Sequence, residues 1–337
     1  MRSHALQSRM QRILWEAEPG PIRRATGQAV EACLGWWGRR EESQAAASTV
    51  LWVTGLHFGG SGRTPVTRWL ATRAEARGLK TAVVGHGFGG HTTKATQVLS
   101  ADAAAFGDEA VELKQALPPT VSVWVGRPRA PLVRTLSADH ACVVVDAAWP
   151  GPPSGAGFRV VVVNAAAPDR VFPAGPGRAS SRAVSADDLV WLHHADQPSR
   201  VAPPLWAYER AHVRSRLRIE GLRAPDGERT GFDALRGRSI VALSGIAQPA
   251  AFRSTVEALC RAHGAHLVEF RARPDHHLFT AADLDGLPVG ALRLTTEKDR
   301  ARGLPPEWWS LIVGLEVEVR TDHPALARLG LGVGDRP

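Results

Sequence analysis

Lysine is scarce in this chain: of 41 basic residues only Lys80, Lys94, Lys114 and Lys298 are lysine, and the rest are arginine. A bias this strong reads as a property of the whole genome. Where an arginine stands in for a lysine, its planar guanidinium is bulkier and less able to act as a mobile point charge. Cysteine is scarce too. Cys33, Cys142 and Cys260 are far apart, odd in number and without metal-ligand spacing, which excludes a disulfide framework and points to inert thiols of a reducing compartment. No run of about 18 apolar residues exists, so a spanning helix is not expected. The N-terminus predicts no cleavable signal, because Arg2, Arg9 and Arg12 are followed by Glu16 and Glu18 rather than a long apolar core. There is no repeat at a fixed period and no long low-complexity tract.

What is present suits a folded protein of about two domains: 337 residues, 44% hydrophobic and 22% charged. The net charge of +8 suits nucleic acid, an anionic lipid surface or a phosphorylated substrate, and composition does not choose among them. Within residues 24–40, Ala29, Val30, Cys33, Leu34, Trp36 and Trp37 lie between Arg23, Arg24, Arg39 and Arg40. That pattern fits a helix lying in a membrane interface, although taken alone it is more often one packed on the domain.

Gly59-Gly60-Ser61-Gly62-Arg63-Thr64-Pro65 carries the most chemistry. It follows the apolar run Val50 to Val53 and leads into Val66 to Lys80, which has helical spacing. In that setting glycines let backbone N–H groups close around phosphates, the helix N-terminus adds its positive end, and Thr64 offers a hydroxyl to Mg²⁺. His57 replaces the strict first glycine and Arg63 the usual lysine. The alternative is a glycine-rich turn that binds nothing.

Thr81 to Val84, Val121 to Val125, Ala141 to Val145 and Arg159 to Val163 are predicted strands, with helices over Val66 to Arg77 and Glu109 to Leu117. This alternation predicts an α/β fold with a mostly parallel sheet. A second α/β series follows Leu205: strands Ser239 to Leu243, His266 to Phe270, Ala291 to Thr295 and Trp309 to Val319, with a helix over Pro249 to His263. The expected division is 1–45, a membrane-associating segment; 46–200, a nucleotide-binding core; and 201–337, a C-terminal α/β lobe.

Three further clusters are ambiguous singly. Gly107-Asp108-Glu109 opens a helix, where a carboxylate stabilises the dipole or serves as a base. Asp146 ends a strand, either as a metal-side acid or as a turn former. Pro274-Asp275-His276-His277 follows a strand as a base-orienting pair or as a surface turn.

Taken in order, the phosphate loop, Gly87-Phe88-Gly89-Gly90, Gly107-Asp108-Glu109, Val125-Gly126-Arg127, Pro173-Ala174-Gly175-Pro176, Ser244-Gly245-Ile246-Ala247, Pro274-Asp275-His276-His277 and Thr295-Thr296-Glu297-Lys298-Asp299 resemble the tetraacyldisaccharide 4'-kinase family, the lipid A 4'-kinases. The resemblance spans roughly residues 48–320 and implies a P-loop NTPase-like fold. It also implies Mg-ATP-dependent phosphorylation of the 4'-hydroxyl of a lipid A disaccharide precursor, at the cytoplasmic face of a bacterial inner membrane, with an anionic lipid surface as partner and no nucleic acid. His57, Phe58, Gly59, Gly60, Ser61, Gly62, Arg63 and Thr64 then fall on the nucleotide loop. Thr64 and Asp146 fall on Mg²⁺, Asp108 on the base, His276 on its partner, and Arg178 on a substrate or phosphate contact. The family's second metal-side acid is Ala147 here, the arginine before its Gly-Tyr-Gly is His86, and a Gly-Pro-Leu-Arg-Glu run is Gly175-Pro176-Gly177-Arg178-Ala179. A relative that binds nucleotide or glycolipid without turnover is the alternative.

Overall fold

The computed structural model describes residues 14, 19–21, 23, 26, 48–58, 60–146, 157–197, 199–200, 202–246, 249–275, 277–300, 302 and 304–336. The membrane-associating segment expected at 1–45 therefore lies outside the described residues apart from a few positions. Among the described residues no helix is long and apolar enough to cross a membrane.

The chain divides into two compact units. Among the described residues, one holds those from 14 to 217 together with 315–336, and the other holds 218–314.

The first unit begins with β1 (Thr49–Gly55), α1 (Arg63–Ala76), β2 (Thr81–Val84), the short β3 (Thr96–Gln97), α2 (Ala103–Phe106), α3 (Asp108–Ala116), β4 (Ser122–Val125), α4 (Arg129–Asp139) and β5 (Cys142–Asp146). β6 (Phe158–Asn164), β7 (Leu189–His193), α5 (Leu205–Arg210) and the start of β8 (Val213–Arg223) follow. The strand order is β3-β4-β2-β5-β1-β6-β7-β8, parallel throughout except for β3 on β4. Every residue of β1 is buried, because helices cover both faces of the sheet. Leu51 and Val53 point into a core with Val66 and Leu70 of α1, while Val50 and Trp52 pack with Leu132, Val133 and Leu136 of α4. These period-two and helical spacings meeting on each face are what make the fold α/β.

α1 begins at Arg63, earlier than the apolar spacing suggests, and stops at Ala76 rather than running to Lys80. Gly78, at φ +75°, ends it: Gly78 N–H bonds Glu75 O at 2.8 Å and Leu79 N–H bonds Ala74 O at 3.1 Å.

The second unit contains the end of β8, β9 (Arg229–Thr230), β10 (Ser239–Ser244), α6 (Pro249–His263), β11 (His266–Ala272), α7 (Ala281–Leu284), β12 (Leu292–Thr296), α8 (Glu297–Arg300) and the start of β13 (Trp309–Val319). Its strands run in the order β11-β10-β12-β13, all pairs parallel, and β9 folds back antiparallel on β8. Leu222, Ile240, Ala242, Phe252 and Val256 form its core.

A single cut at 200/201 does not describe this division. The end of β13 and α9 (Pro324–Arg328) belong to the first unit, where Val317, Val319, Leu326 and Leu329 join the cluster containing Leu51 and Leu70.

Candidate active site

β1 is flanked by β5 on one side and β6 on the other, so the loop leaving its C-terminal end opens at the switch point of the sheet. Residues 56–62 make that loop, and Gly59 lies outside the described residues. Gly62 caps α1 at φ +82°, and no side chain caps the helix in its place. In the first turn Pro65 has no N–H and Val66 N–H donates to Gly62 O at 3.2 Å, and no acidic residue there opposes an anion at the positive end of the helix. The rest of the loop is clipped down by neighbours. Asn164 Nδ2 donates to Gly60 O at 2.7 Å, Phe58 N–H to Pro176 O at 2.8 Å, and Arg178 N–H to Leu56 O at 2.6 Å. His57 bridges Gly177 and is buried, as is Ser61, whose Oγ fills the space a Cβ on Gly55 would need. Phe58 stays 45% exposed beneath the Arg178 guanidinium, 4.7 Å from its ring centroid.

Asp146 ends β5 fully buried, and the loop meets it. Arg63 Nη1 stands 3.2 Å from Asp146 Oδ1, and Thr64 Oγ1 donates to Oδ2 at 3.4 Å. Arg129 Nη1 donates to the Asp146 carbonyl at 2.8 Å. Burial, with Arg63 and Arg127 nearby, lowers Arg129 despite Asp146; burial and then Arg63 lower Arg178. His86 is pushed down to about 4, by burial first and then by Arg129 and Arg63, with Glu109 opposing. His57 is pushed down to about 4 by burial and by Arg178. Four guanidinium groups from three segments of the chain therefore converge beside two neutral histidines. Among the described residues Arg178 Nε donates to no acceptor, and Asp146 Oδ1 receives no hydrogen bond beyond its ion pair with Arg63.

Asp108 opens α3 directly after Gly107, which sits at φ +84°. Its Oδ1 accepts from Glu109 N–H at 2.9 Å, so Gly107 rather than Asp108 holds the cap position. A Cβ on Gly90 would stand 2.6 Å from Gly107 N, and one on Gly107 would collide with the Phe88 carbonyl. Two separate glycine motifs of the sequence thus close on each other at the start of α3.

Residues 34–329 match the family described as "Tetraacyldisaccharide-1-P 4'-kinase". The chain belongs to that family. It is 35% identical to a tetraacyldisaccharide 4'-kinase of Anaeromyxobacter dehalogenans (strain 2CP-C), over 88% of this chain and 86% of the relative. It is 32% identical to one of Rhodopseudomonas palustris (strain BisB5), over 83% and 82%. Its fold is similar to a crystal structure described as the "apo" form of LpxK from Aquifex aeolicus in complex with ATP. The TM-score is 0.65 at 19% identity, covering 87% of this chain and 93% of that one.

The remaining kinase-family motifs lie in the second unit. His276 and Ala247 are outside the described residues. Asp275 pairs with Lys298 at 3.7 Å and with Arg302 at 3.8 Å. His277 Nε2 lies 2.9 Å from Asp283 Oδ2, and Asp283 also accepts from Arg273 Nε at 2.6 Å and Thr280 N–H at 2.8 Å. Burial alone would raise Asp283, but these hydrogen bonds outweigh it and hold the carboxyl below its ordinary range. Asp299 ties two motifs together, accepting from Gly245 N–H at 3.1 Å and Thr296 Oγ1 at 2.8 Å. Arg129, Asn164 and His193 at the phosphate loop are absent from the motif reading. The signal available for the last two is a polar residue closing an apolar strand, after Val160 to Val163 and after Val190 to Leu192.

Proposed function

We infer that this chain transfers the γ-phosphoryl group of ATP to the 4'-hydroxyl of a tetraacyldisaccharide 1-phosphate, a lipid A precursor. Family membership supports the reaction, and the meeting of Asp146 with Arg63 and Thr64 supports its location. A buried carboxylate beside a loop hydroxyl offers two oxygen donors of the kind that bind Mg²⁺ together with substrate phosphates, and Asp146 Oδ1, held only by its ion pair with Arg63, fits that use. Thr64 and Asp146 would hold Mg²⁺, which when bound would supply charge neutralisation at the phosphates.

The chain's own groups do the rest. The loop leading into the positive end of α1 and the guanidinium groups of Arg63 and Arg178 hold the phosphate oxygens. Asp108 takes the proton of the 4'-hydroxyl as its oxygen bonds phosphorus and the bond to ADP breaks. His276 is assigned to support Asp108 by the family pattern.

The protein works as a peripheral kinase at the cytoplasmic face of the inner membrane. Phe58, Phe88 and Phe172 are 45%, 57% and 41% exposed on the loop-bearing unit, and the chain carries a net charge of +8. Apolar rings among arginines suit an anionic lipid surface.

Purified protein with Mg-ATP and tetraacyldisaccharide 1-phosphate tests the reading. The glycolipid is expected to gain one phosphoryl mass with stoichiometric ADP. ATP bound without any phosphorylated lipid would overturn it.

A further inference from the structure

The phosphate loop rests on the ends of β6 and β7, whose last residues, Asn164 and His193, are register partners. Asn164 holds the Gly60 carbonyl, and His193 lies against Gly62: a Cβ there would overlap Cδ2 and stand 2.9 Å from Nε2. Trp191, two residues earlier and so on the same face of β7, meets Trp69 edge-on at 5.3 Å. Gly62 and Trp69 are two helical turns apart and share one face of α1. α1 is therefore seated on β7 twice, by His193 at its cap and by Trp191 further along.

Neighbouring groups also fix the His193 ring. Trp191 Nε1 donates to Ser215 Oγ at 2.8 Å, and Ser215 Oγ lies 3.0 Å from His193 Nδ1. An indole N–H can only donate, so the buried serine oxygen accepts from it, and among the described residues His193 Nδ1 is the one acceptor within reach of the hydroxyl proton, which is satisfied when Nδ1 accepts. The imidazole proton is then on Nε2, at the edge facing Gly62. Burial first, and then His194 with its ring 4.0 Å away, hold His193 well below its ordinary range, in keeping with a neutral ring.

We propose that His193 is a positioning residue for phosphoryl transfer: its Nε2–H tautomer, set through Ser215 and Trp191, seats Gly62 so that the loop entering α1 faces the phosphates. The proposal rests on the reading of residues 57–64 as the phosphate loop.

The test uses the full chain with Mg-ATP and the disaccharide. His193→Ala is expected to lower kcat/KM for ATP about 10²-fold, as for a modest misplacement of a binding group, and His193→Gln to recover part of the loss. Ser215→Ala should act in the same direction without touching the loop. Gly62→Ala should cost at least tenfold less in the His193→Ala background, where the ring is no longer in its way. Kinetics unchanged in His193→Ala and Ser215→Ala, with only the melting temperature lowered, would overturn the proposal, as would an equal cost of Gly62→Ala in both backgrounds. Ring ¹⁵N shifts provide an independent readout: a wild-type His193 protonated on Nδ1 refutes the tautomer assignment. A wild type that neither binds nor turns over ATP would sink the reading of the loop instead, and the ring shifts would still decide the tautomer.

Discussion

Arg63→Ala is expected to weaken the protein and slow it, and Mg²⁺ should repair only the first effect. Arg63 Nη1 lies 3.2 Å from Asp146 Oδ1, with the two side chains 17% and 0% exposed. Removing one member of a buried pair leaves an uncompensated charge, a loss of about 3–5 kcal/mol. Arg129 still donates to the Asp146 carbonyl at 2.8 Å and Thr64 to the carboxylate at 3.4 Å, so the lower end, about 3 kcal/mol, is expected. For a unit of this size that corresponds to a melting temperature lower by about 6–12 °C without metal. Mg²⁺ at a hundredfold excess over its Kd restores about 2.7 kcal/mol, because the carboxylate is now open to it. The wild type gains less, since its own guanidinium competes for the same oxygen. Turnover should fall about 10²–10³-fold, as when one donor to a charged transition state is lost, and Arg63→Lys should keep or raise it. Melts with and without Mg²⁺ in the absence of nucleotide, followed by steady-state phosphoryl transfer, measure both effects. An Arg63→Ala enzyme as fast as wild type, or one that Mg²⁺ stabilises no more than wild type, would refute the reasoning.

Asp108→Asn should lower kcat by about 10²-fold with ATP affinity nearly intact, because the amide cannot take the acceptor proton; wild-type turnover would leave Asp108 a structural residue. His57, pushed from 6.5 to about 4, binds its proton more weakly folded than unfolded, so its contribution is complete above pH 6.5 and lost as pH falls towards 4. The difference in unfolding free energy between wild type and His57→Gln should therefore change by about 3 kcal/mol across that window, read from denaturant melts, and a flat difference would contradict the burial argument. Replacing Phe58 and Phe172 together by serine should reduce flotation with anionic liposomes, and so should deleting residues 1–40 from a protein that still folds; unchanged flotation in both removes the membrane role given to these segments.

The sequence disclosed regular elements well where punctuation was strong. Pro249–His263 opens on proline, ends before Gly264 and was legible at both ends, as was the apolar run Trp309–Val319. α4 escaped because Pro131 and arginines interrupt its first turns, and β8 because Val213–Arg223 alternates with charge along an exposed stretch. Asp108, Asp146 and the glycine loop could be read because each sits at a strand or helix end that local spacing reveals. Arg129, Asn164 and His193 could not, since they reach the loop through sheet neighbours: Asn164 and Gly60 are 104 residues apart in the chain. The acceptor was legible only through the whole ordered set of motifs, because a phosphate loop is blind to what receives the phosphate.

The bridge between His57 and Gly177 joins the loop to residues 171–178, and Phe58 on one side meets Phe172 on the other with ring centroids 6.0 Å apart. On the proposed reading, backbone that would contact the nucleotide is therefore continuous with the exposed rings. Any displacement of that bridge by Mg-ATP changes how the rings meet lipid, and free-energy coupling between two ligands is reciprocal. Where the rings adsorb to a bilayer as proposed, adsorption alters ATP affinity by the same factor that ATP alters adsorption, and a nucleotide titration with vesicles present would then differ from one carried out in buffer.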